Sequence, residues 1–415
     1  MINFWSQFSY LISLFYYRFE YIIIAYMSFA ISKVKGTNYI KRTKNRPDIS
    51  HLKKKLVKNH SKRLAIFVAF HSQTKIPQSN INYINLLKKC SFTTIYIING
   101  KLNHEVLEQL NMMDCYVICR DNIGQDFGAW KDGIALLKKY KIKDDLKWLL
   151  LCNDSNFCLG GNNSNSFIER FSEELNSSKA ADFISLCCNF ESSLHYQSYF
   201  LCLSNLILKK KSFNKFWEKY IPLNHRFHSI NAGEKKFTAK ILSKFRPKIM
   251  YTSHDLSRQI LSTKENDPQT VLKNLPKSFF YLETAFDNYF ENKSDFEFGT
   301  LKIINSLENY NPSHVFGLLN ILYLESPFLK KDVMRQGVFS YSQIYEILKL
   351  EKLNIDENLR NEILELFVKG GTNYSFMESR RNAFRRGIAI LGGIYDYQFE
   401  SQVLQKKYFS NSKKN

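Results

Sequence analysis

The sequence is poor in the residues that build fibrous, stapled or linker-like chains. With Gly 16 and Pro 8 in 415 residues, collagen-like and Pro-rich architectures are excluded. Eight cysteines are too few for a disulfide scaffold at this length. No C-x-x-C pair occurs, so zinc is not expected. Most of the cysteines lie in apolar runs such as Leu149–Cys152 and Phe183–Cys188, and they read as buried free thiols of a reducing compartment. Neither a G-x-G-x-x-G fingerprint nor a Walker A loop is present. There is no obvious internal repeat. Acidic residues are also short in supply: Asp+Glu 38 stand against Lys+Arg 59, a net charge of +21.

That charge calls for an acidic partner or surface, and nucleic acid, anionic lipid and phosphorylated small molecules all qualify. A hydrophobic fraction of 44% excludes wholesale disorder. The length suits two or three structural units. Aromatic residues reach 15%. Most alternate inside apolar runs, which suits a core better than an exposed nucleic-acid stripe, so no nucleic-acid partner is expected.

The first thirty residues are rich in Phe, Tyr, Ile and Leu, but Arg18 and Glu20 split the run into pieces too short to span a bilayer, which needs about 20 residues. No basic region precedes the run, so it does not read as a secretory signal. A basic stretch from Lys33 to Arg46 follows it. Two readings stand: a helix lying on an anionic membrane, or a helix packed on the protein's own core.

From residue 61 a regular alternation begins. LAIFVAF (64–70) is a continuous apolar run, as a strand covered on both faces would be. Asn80–Lys89 has helical spacing, Thr93–Ile98 strand character, and Asn103–Leu110 helical spacing again. Tyr116–Ile118, Phe127–Tyr140 and Leu146–Leu151 read as strand, helix and strand. This order predicts a parallel, doubly wound α/β sheet. Two more strands, Asp182–Cys188 and Gln197–Ser204, and an aromatic helix, Phe213–Tyr220, follow. Beyond about residue 265 helical patterns dominate. The expected units are therefore an N-terminal aromatic, basic segment (1–60), membrane-associated on the first reading, a sheet domain (61–265), and a helical C-terminal region with a basic tail (266–415).

In an open parallel sheet, ligands bind beyond the carboxyl ends of the strands. Two polar clusters fall there. The first is RDNIGQDFGAW (120–130), where Arg120 suits a phosphate, and Asn122 and Asp126 suit hydroxyls or amides. Asp126 also suits a plain helix N-cap. The second is Asn153-Asp154-Ser155, where a carboxylate can hold a divalent cation on a diphosphate, or simply make a turn. His195, Gln197 and Tyr199 fall on one face of a strand by alternation. His71, after the first strand, is a further candidate for contact with a nucleotide.

Together these clusters resemble the bacterial rhamnan synthesis F proteins, a glycosyltransferase-like family of cell-surface polysaccharide biosynthesis. The resemblance rests on RDNIGQDFGAWKDG (120–133), LLLCNDS (149–155), HYQSYFLCLS (195–204), FNKFWEKY (213–220), Gly233-Glu234, NPSH (311–314) and SPFLKKD (326–332). It implies a GT-A-like, Rossmann-type sheet domain. It assigns Arg120, Asn122, Gly124 and Asp126 to the donor segment and puts Asn153 in the metal-binding motif. Lys131, by its charge, and His71, by its place after the first strand, join them as donor contacts, with a plain loop role as the other reading of His71. Asp154 takes the place of the metal-binding acid, with Mg2+ or Mn2+ as the expected cofactor. Asn153 departs from the acidic pair usual there. Glu234 matches the base. His195, Gln197 and Tyr199, placed together by alternation, either line the acceptor or sugar or form a structural hydrogen-bond group. The implied partners are a nucleotide-diphosphate sugar, rhamnose-type or another deoxyhexose, a lipid-linked glycan acceptor, and an anionic membrane surface. The implied location is cytoplasmic, peripheral on the inner face of the bacterial membrane. A non-catalytic nucleotide-sugar- or glycan-binding scaffold of the same pathway stays open as an alternative.

Overall fold

The run RLAIFVAFH forms the strand from which the rest of the molecule is organised: β1 (Arg63–His71). In the computed structural model, Leu64, Ile66 and Val68 join one apolar cluster and Ala65, Phe67 and Ala69 the other. Successive side chains of a strand point to opposite faces, so a run that is apolar at every position needs cover on both sides. The structure describes residues 62–71, 75–101, 103–190, 193–224, 226–263, 268–276, 293–308, 310–335 and 338–372, with a few isolated positions before residue 62.

Helical crossovers carry the chain from β1 through α1 (Gln78–Lys89), β2 (Thr93–Gly100), α2 (His104–Met112), β3 (Tyr116–Arg120) and α3 (Gln125–Lys139) to β4 (Trp148–Asn153). After these come β5 (Asn156–Cys158), α4 (Gly161–Asn176), β6 (Phe183–Ser185), β7 (Cys188–Asn189), β8 (His195–Tyr196) and β9 (Phe200–Ser204). Then follow α5 (Lys211–Lys219), a π-helical stretch (Ser229–Lys235), β10 (Pro247–Ile249) and α6 (Ser253–Ser262). The later elements include α7 (Lys293–Leu307), α8 (Gly317–Tyr323), β11 (Phe328–Lys330), α9 (Tyr341–Leu348) and α10 (Glu357–Thr372).

The main sheet has seven strands in the order β10-β6-β9-β4-β1-β2-β3. Strands β3, β2, β1 and β4 are mutually parallel, as the alternation predicts. Strand β9 is antiparallel to both neighbours, β4 and β6. Between β6 and β9 the chain makes the small antiparallel β7–β8 pair and no crossover helix, so β9 returns beside β6 in the opposite direction. One face of the sheet is covered by α1, α2, α4 and α6, through residues such as Tyr83, Leu110, Phe167 and Leu256. The other is covered by α3 and α5, through Trp130, Ile134, Phe213 and Trp217.

The apolar core continues across residue 265. Ile303, Ile304, Phe316, Leu319 and Phe328 share one cluster with Phe67 and Phe200. A smaller cluster joins Phe157 and Leu159 to Leu318, Leu329, Phe339, Ile344, Leu359 and Ile363. Strand β11 pairs antiparallel with β5, so the predominantly helical C-terminal part returns one strand to the first half of the chain. From α10, Glu362 accepts from the Ser79 backbone N–H (2.9 Å) and hydroxyl (2.7 Å). It thereby satisfies the start of α1, which has no side-chain cap of its own.

Seven of the eight cysteines are buried and Cys188 is partly so; none forms a disulfide. Burial pushes the Cys158 and Cys187 thiols up to about 12. Among the described residues no helix is long and apolar enough to cross a membrane. Most of the N-terminal aromatic, basic segment and all of the tail beyond residue 372 lie outside the described residues.

Candidate active site at the carboxyl ends of the parallel strands

The strand order reverses direction between β1 and β4, and a crevice forms outside the carboxyl ends of such a pair. Asp154 closes the two strands at that point. Its backbone N–H donates to Val68 O (3.0 Å), and its Oδ2 accepts from the Phe70 N–H (3.2 Å). Beside it, buried Asn153 is a hub. Its Nδ2 donates to Asp126 Oδ2 (2.6 Å), and its Oδ1 accepts from the Ser155 N–H (3.2 Å) and hydroxyl (2.6 Å).

Asp126 stands in the first turn of α3 but is not its cap. That place belongs to Gly124, in the left-handed conformation at φ +80°. A Cβ there would lie 2.2 Å from Pro222 Cβ, so the loop closes only around glycine. Gly128 is equally committed: its Cβ would meet Ile123 O at 2.2 Å. Burial pushes the Asp126 carboxyl up to about 7, helped by the nearby Asp154 and Glu234 charges and opposed by Asn153 and Lys330.

Glu234 arrives from the other side. It lies in the π-helical stretch, a geometry that often marks functional positions. Gly233 lets this stretch press on Phe127, since a Cβ there would stand 2.9 Å from the ring. Glu234 Oε1 accepts from the Ser198 N–H (2.6 Å), and Oε2 stands 4.0 Å from His195 Nε2. His195 Nδ1 is 2.8 Å from Ser193 O. One turn on from Glu234, Thr238 Oγ1 accepts from the Tyr196 N–H (3.2 Å), so the same helical run holds the 195–198 segment twice.

The structure corrects the expected alternation of His195, Gln197 and Tyr199. His195 belongs to β8, paired with β7, and β9 begins only at Phe200, with a turn between. The three residues still gather at this end of the sheet. Gln197 Nε2 reaches Asn311 Oδ1 (3.4 Å), and the Tyr199 hydroxyl reaches Ser313 Oγ (2.7 Å).

Two expected phosphate ligands are committed elsewhere. Arg120 is fully buried. Its Nε pairs with Asp132 (2.9 Å), its Nη1 donates to Asn99 Oδ1 (2.6 Å) and its Nη2 to Ile123 O (2.6 Å). An Arg in an apolar sheet demands such partners, and here it braces the 121–124 loop from below. Lys131 Nζ donates to the carbonyls of Glu218 (3.1 Å) and Tyr220 (2.5 Å), satisfying the end of α5. Asn122 is exposed on the loop rim. His71 ends β1 opposite Gly100, and its side chain lies outside the described residues.

Lys330 is the residue that motif reasoning passes over. It sits in β11, in register with Asn156 of β5. Its Nζ donates to Ser155 Oγ (3.0 Å) and stands 4.2 Å from the centre of the Tyr199 ring. Burial pulls it below the ordinary lysine range, while Asp332, Glu234 and Asp126 hold it up. The available signal was a lysine inside the apolar strand Phe328-Leu329-Lys330, in a segment quoted above only for its family likeness.

The donor set is poor for a resident divalent cation. Asn153 turns its amide N–H toward Asp126 and fills its oxygen with Ser155. One Asp154 oxygen is taken by a backbone N–H, and an ammonium stands on Ser155. Among the described residues no three His, Cys, Asp or Glu side chains are grouped to hold a metal.

Fold and site define a doubly wound α/β protein with a carboxylate-lined polar crevice at the place where such sheets take their ligands. Within that class, the chain belongs to the family described as rhamnan synthesis protein F, which it matches over residues 94–340. That span contains Asp126, Asn153, Asp154, Glu234 and Lys330, and membership places the chain in rhamnan-type polysaccharide synthesis. It is also similar to the uncharacterized protein y4gN of Sinorhizobium fredii, 24% identical over 288 residues, covering 68% of this chain and 74% of that one. No solved structure matches it.

Proposed function

We propose that this protein is a glycosyltransferase that moves a sugar, rhamnose or a similar deoxyhexose, from a nucleotide-diphosphate donor to a lipid-linked glycan. The observation that carries this reading is the cluster of Asp126, Asn153, Asp154 and Ser155 at the end of β4, with Glu234 near enough for its charge to act on Asp126. The GT-A-like description belongs to the same proposal. Its support is the parallel β3-β2-β1-β4 half of the sheet with both polar clusters at the carboxyl ends.

The chemistry follows from the residues. The acceptor hydroxyl attacks the anomeric carbon as the bond to the donor phosphate breaks, and the nucleoside diphosphate departs with the bonding pair. Glu234 takes the hydroxyl proton. The Ser198 N–H fixes one of its oxygens and leaves the other toward His195. A single in-line displacement inverts the anomeric carbon. Asp126 and Asp154 supply acceptors for sugar or ribose hydroxyls. Phe70, 57% exposed beside Asp154, offers an apolar surface to a base.

A peripheral place on the inner face of the membrane is part of the proposal. Phe19, Ile22, Ile23, Tyr26 and Met27 are helical and exposed, at the spacing of one helix face. With the charge of +21, that face suits an anionic bilayer carrying the lipid-linked acceptor.

The test is Glu234→Gln, which keeps shape and removes the base. Transfer should fall by about 10²–10⁴-fold while the dissociation constant for the donor stays within a few-fold of wild type. Unchanged turnover would remove Glu234 from the mechanism.

A further inference from the structure

We propose that Lys330 binds the diphosphate of the donor directly and supplies the positive charge that a divalent cation would otherwise bring, so that the site works without a metal. This rests on the glycosyltransferase reading above and deepens it.

Four observations point the same way. First, the position next to Asp154 is an amide, and its N–H group is directed at Asp126. Second, Lys330 Nζ stands on Ser155 Oγ at 3.0 Å, immediately after Asp154, at the carboxyl end of the parallel strands. A fixed cation there repels a divalent ion and attracts an anion. Third, the cations that sequence placed on the phosphate are spent. Arg120 is buried against Asp132, and Lys131 holds the carbonyls at the end of α5. Fourth, Asn156, in register with Lys330, carries a buried amide nitrogen without a hydrogen-bond partner. A buried donor left unpaired is costly unless an acceptor arrives.

The geometry of Lys330 is held from several sides. Strand β11 pairs with β5, and the Lys331 N–H donates to Ser155 O (3.0 Å), which fixes the strand beside the 153–155 turn. The Tyr199 ring lies under the ammonium at 4.2 Å, and its hydroxyl is tied to Ser313. A lysine kept in this place by strand pairing and an aromatic face is poised for an anion. In the reaction, the glycosidic C–O bond breaks toward the phosphate, and the growing charge on that oxygen meets Lys330. No proton or electron needs to be supplied from outside.

The experiment is calorimetric titration of the full-length protein with UDP, GDP and dTDP, in excess EDTA and in Mg2+, for wild type, Lys330→Met and Lys330→Arg. Wild type should bind one of these nucleotides equally well in EDTA and in Mg2+. Lys330→Met should weaken that binding by about 10- to 100-fold, and Lys330→Arg should restore part of it. Removing the ammonium takes away a cation that faces Asp126, Glu234 and Asp332, so the melting midpoint of Lys330→Met should fall. The ligand role is read from nucleotide binding that is lost in Lys330→Met and partly restored in Lys330→Arg, both with cooperative melts; a merely structural lysine would leave binding by the folded Lys330→Met protein unchanged. Binding that appears only with Mg2+, or that survives in Lys330→Met, overturns the proposal and leaves the glycosyltransferase reading standing. No binding of any nucleotide in either buffer overturns both.

Discussion

At the scale of single residues, the site is a small set of charges held out of water by specific partners. Asp126 is the clearest case. Burial raises its carboxyl to about 7, so the folded protein keeps a proton there that the unfolded chain releases above the ordinary aspartate range. The stabilisation tied to that proton is full at low pH and is lost as pH rises toward and through 7. Asp126→Asn should therefore raise the melting midpoint by a few degrees at pH 8 and change it little at pH 4. An equal effect at both pH values would show that the carboxyl titrates normally. Sequence placed Asn153, Asp154 and Ser155 just after an apolar strand, where such residues equally make a plain turn; it was their occurrence in order with 120–133 and Gly233-Glu234 that singled them out. What was not readable is which cation faces them. Arg120 lies beside the motif yet turns inward to Asp132 and Asn99, whereas Lys330 comes from 175 residues beyond Ser155. Spacing along the chain carries no trace of such a pairing.

At the scale of elements, the site depends on close approaches made through glycine, at Gly128 and at the two positions that turn or press an element into place. Gly124 turns the loop into α3 against Pro222, and Gly233 lets the π-helical stretch rest on Phe127. Gly233→Ala places a methyl 2.9 Å from that ring. It should shift Glu234 relative to Ser198 and lower kcat by about tenfold or more, with a smaller change in KM and a cooperative melt retained. A variant with normal kcat would show that Glu234 needs no such placement. Continuous apolar or β-branched runs and helical spacing identified β1, β2, β4, α1 and α3 to within a few residues, because both faces of those strands are buried and most of their positions are apolar. The same reasoning placed Gln197 and Tyr199 in a strand, where the structure has a turn. Their polar side chains are satisfied by Asn311 and Ser313, partners more than 100 residues away, so local alternation was the wrong guide there.

At the scale of the whole molecule, the parallel half of the sheet sets the crevice and the later chain closes it. Residues 311–313 and 328–330 bring Asn311, Ser313 and Lys330 to the site, while Phe316 and Phe328 enter the core beneath it. The C-terminal part is thus built into the site rather than set beside it. Sequence reasoning saw its helices and not this return, because a three-residue strand such as β11 leaves almost no periodic signal. The central claim is that this polar cluster beyond the carboxyl ends of β1 and β4 is a nucleotide-sugar site. Its most direct test is the melting midpoint of the full-length protein against a panel of nucleoside diphosphates and nucleotide sugars in EDTA. A ligand of the native state raises the midpoint with its concentration. The account predicts such a rise, selective for one nucleotide and shared by its sugar conjugate. A flat response across the whole panel, in EDTA and in Mg2+ alike, would contradict it.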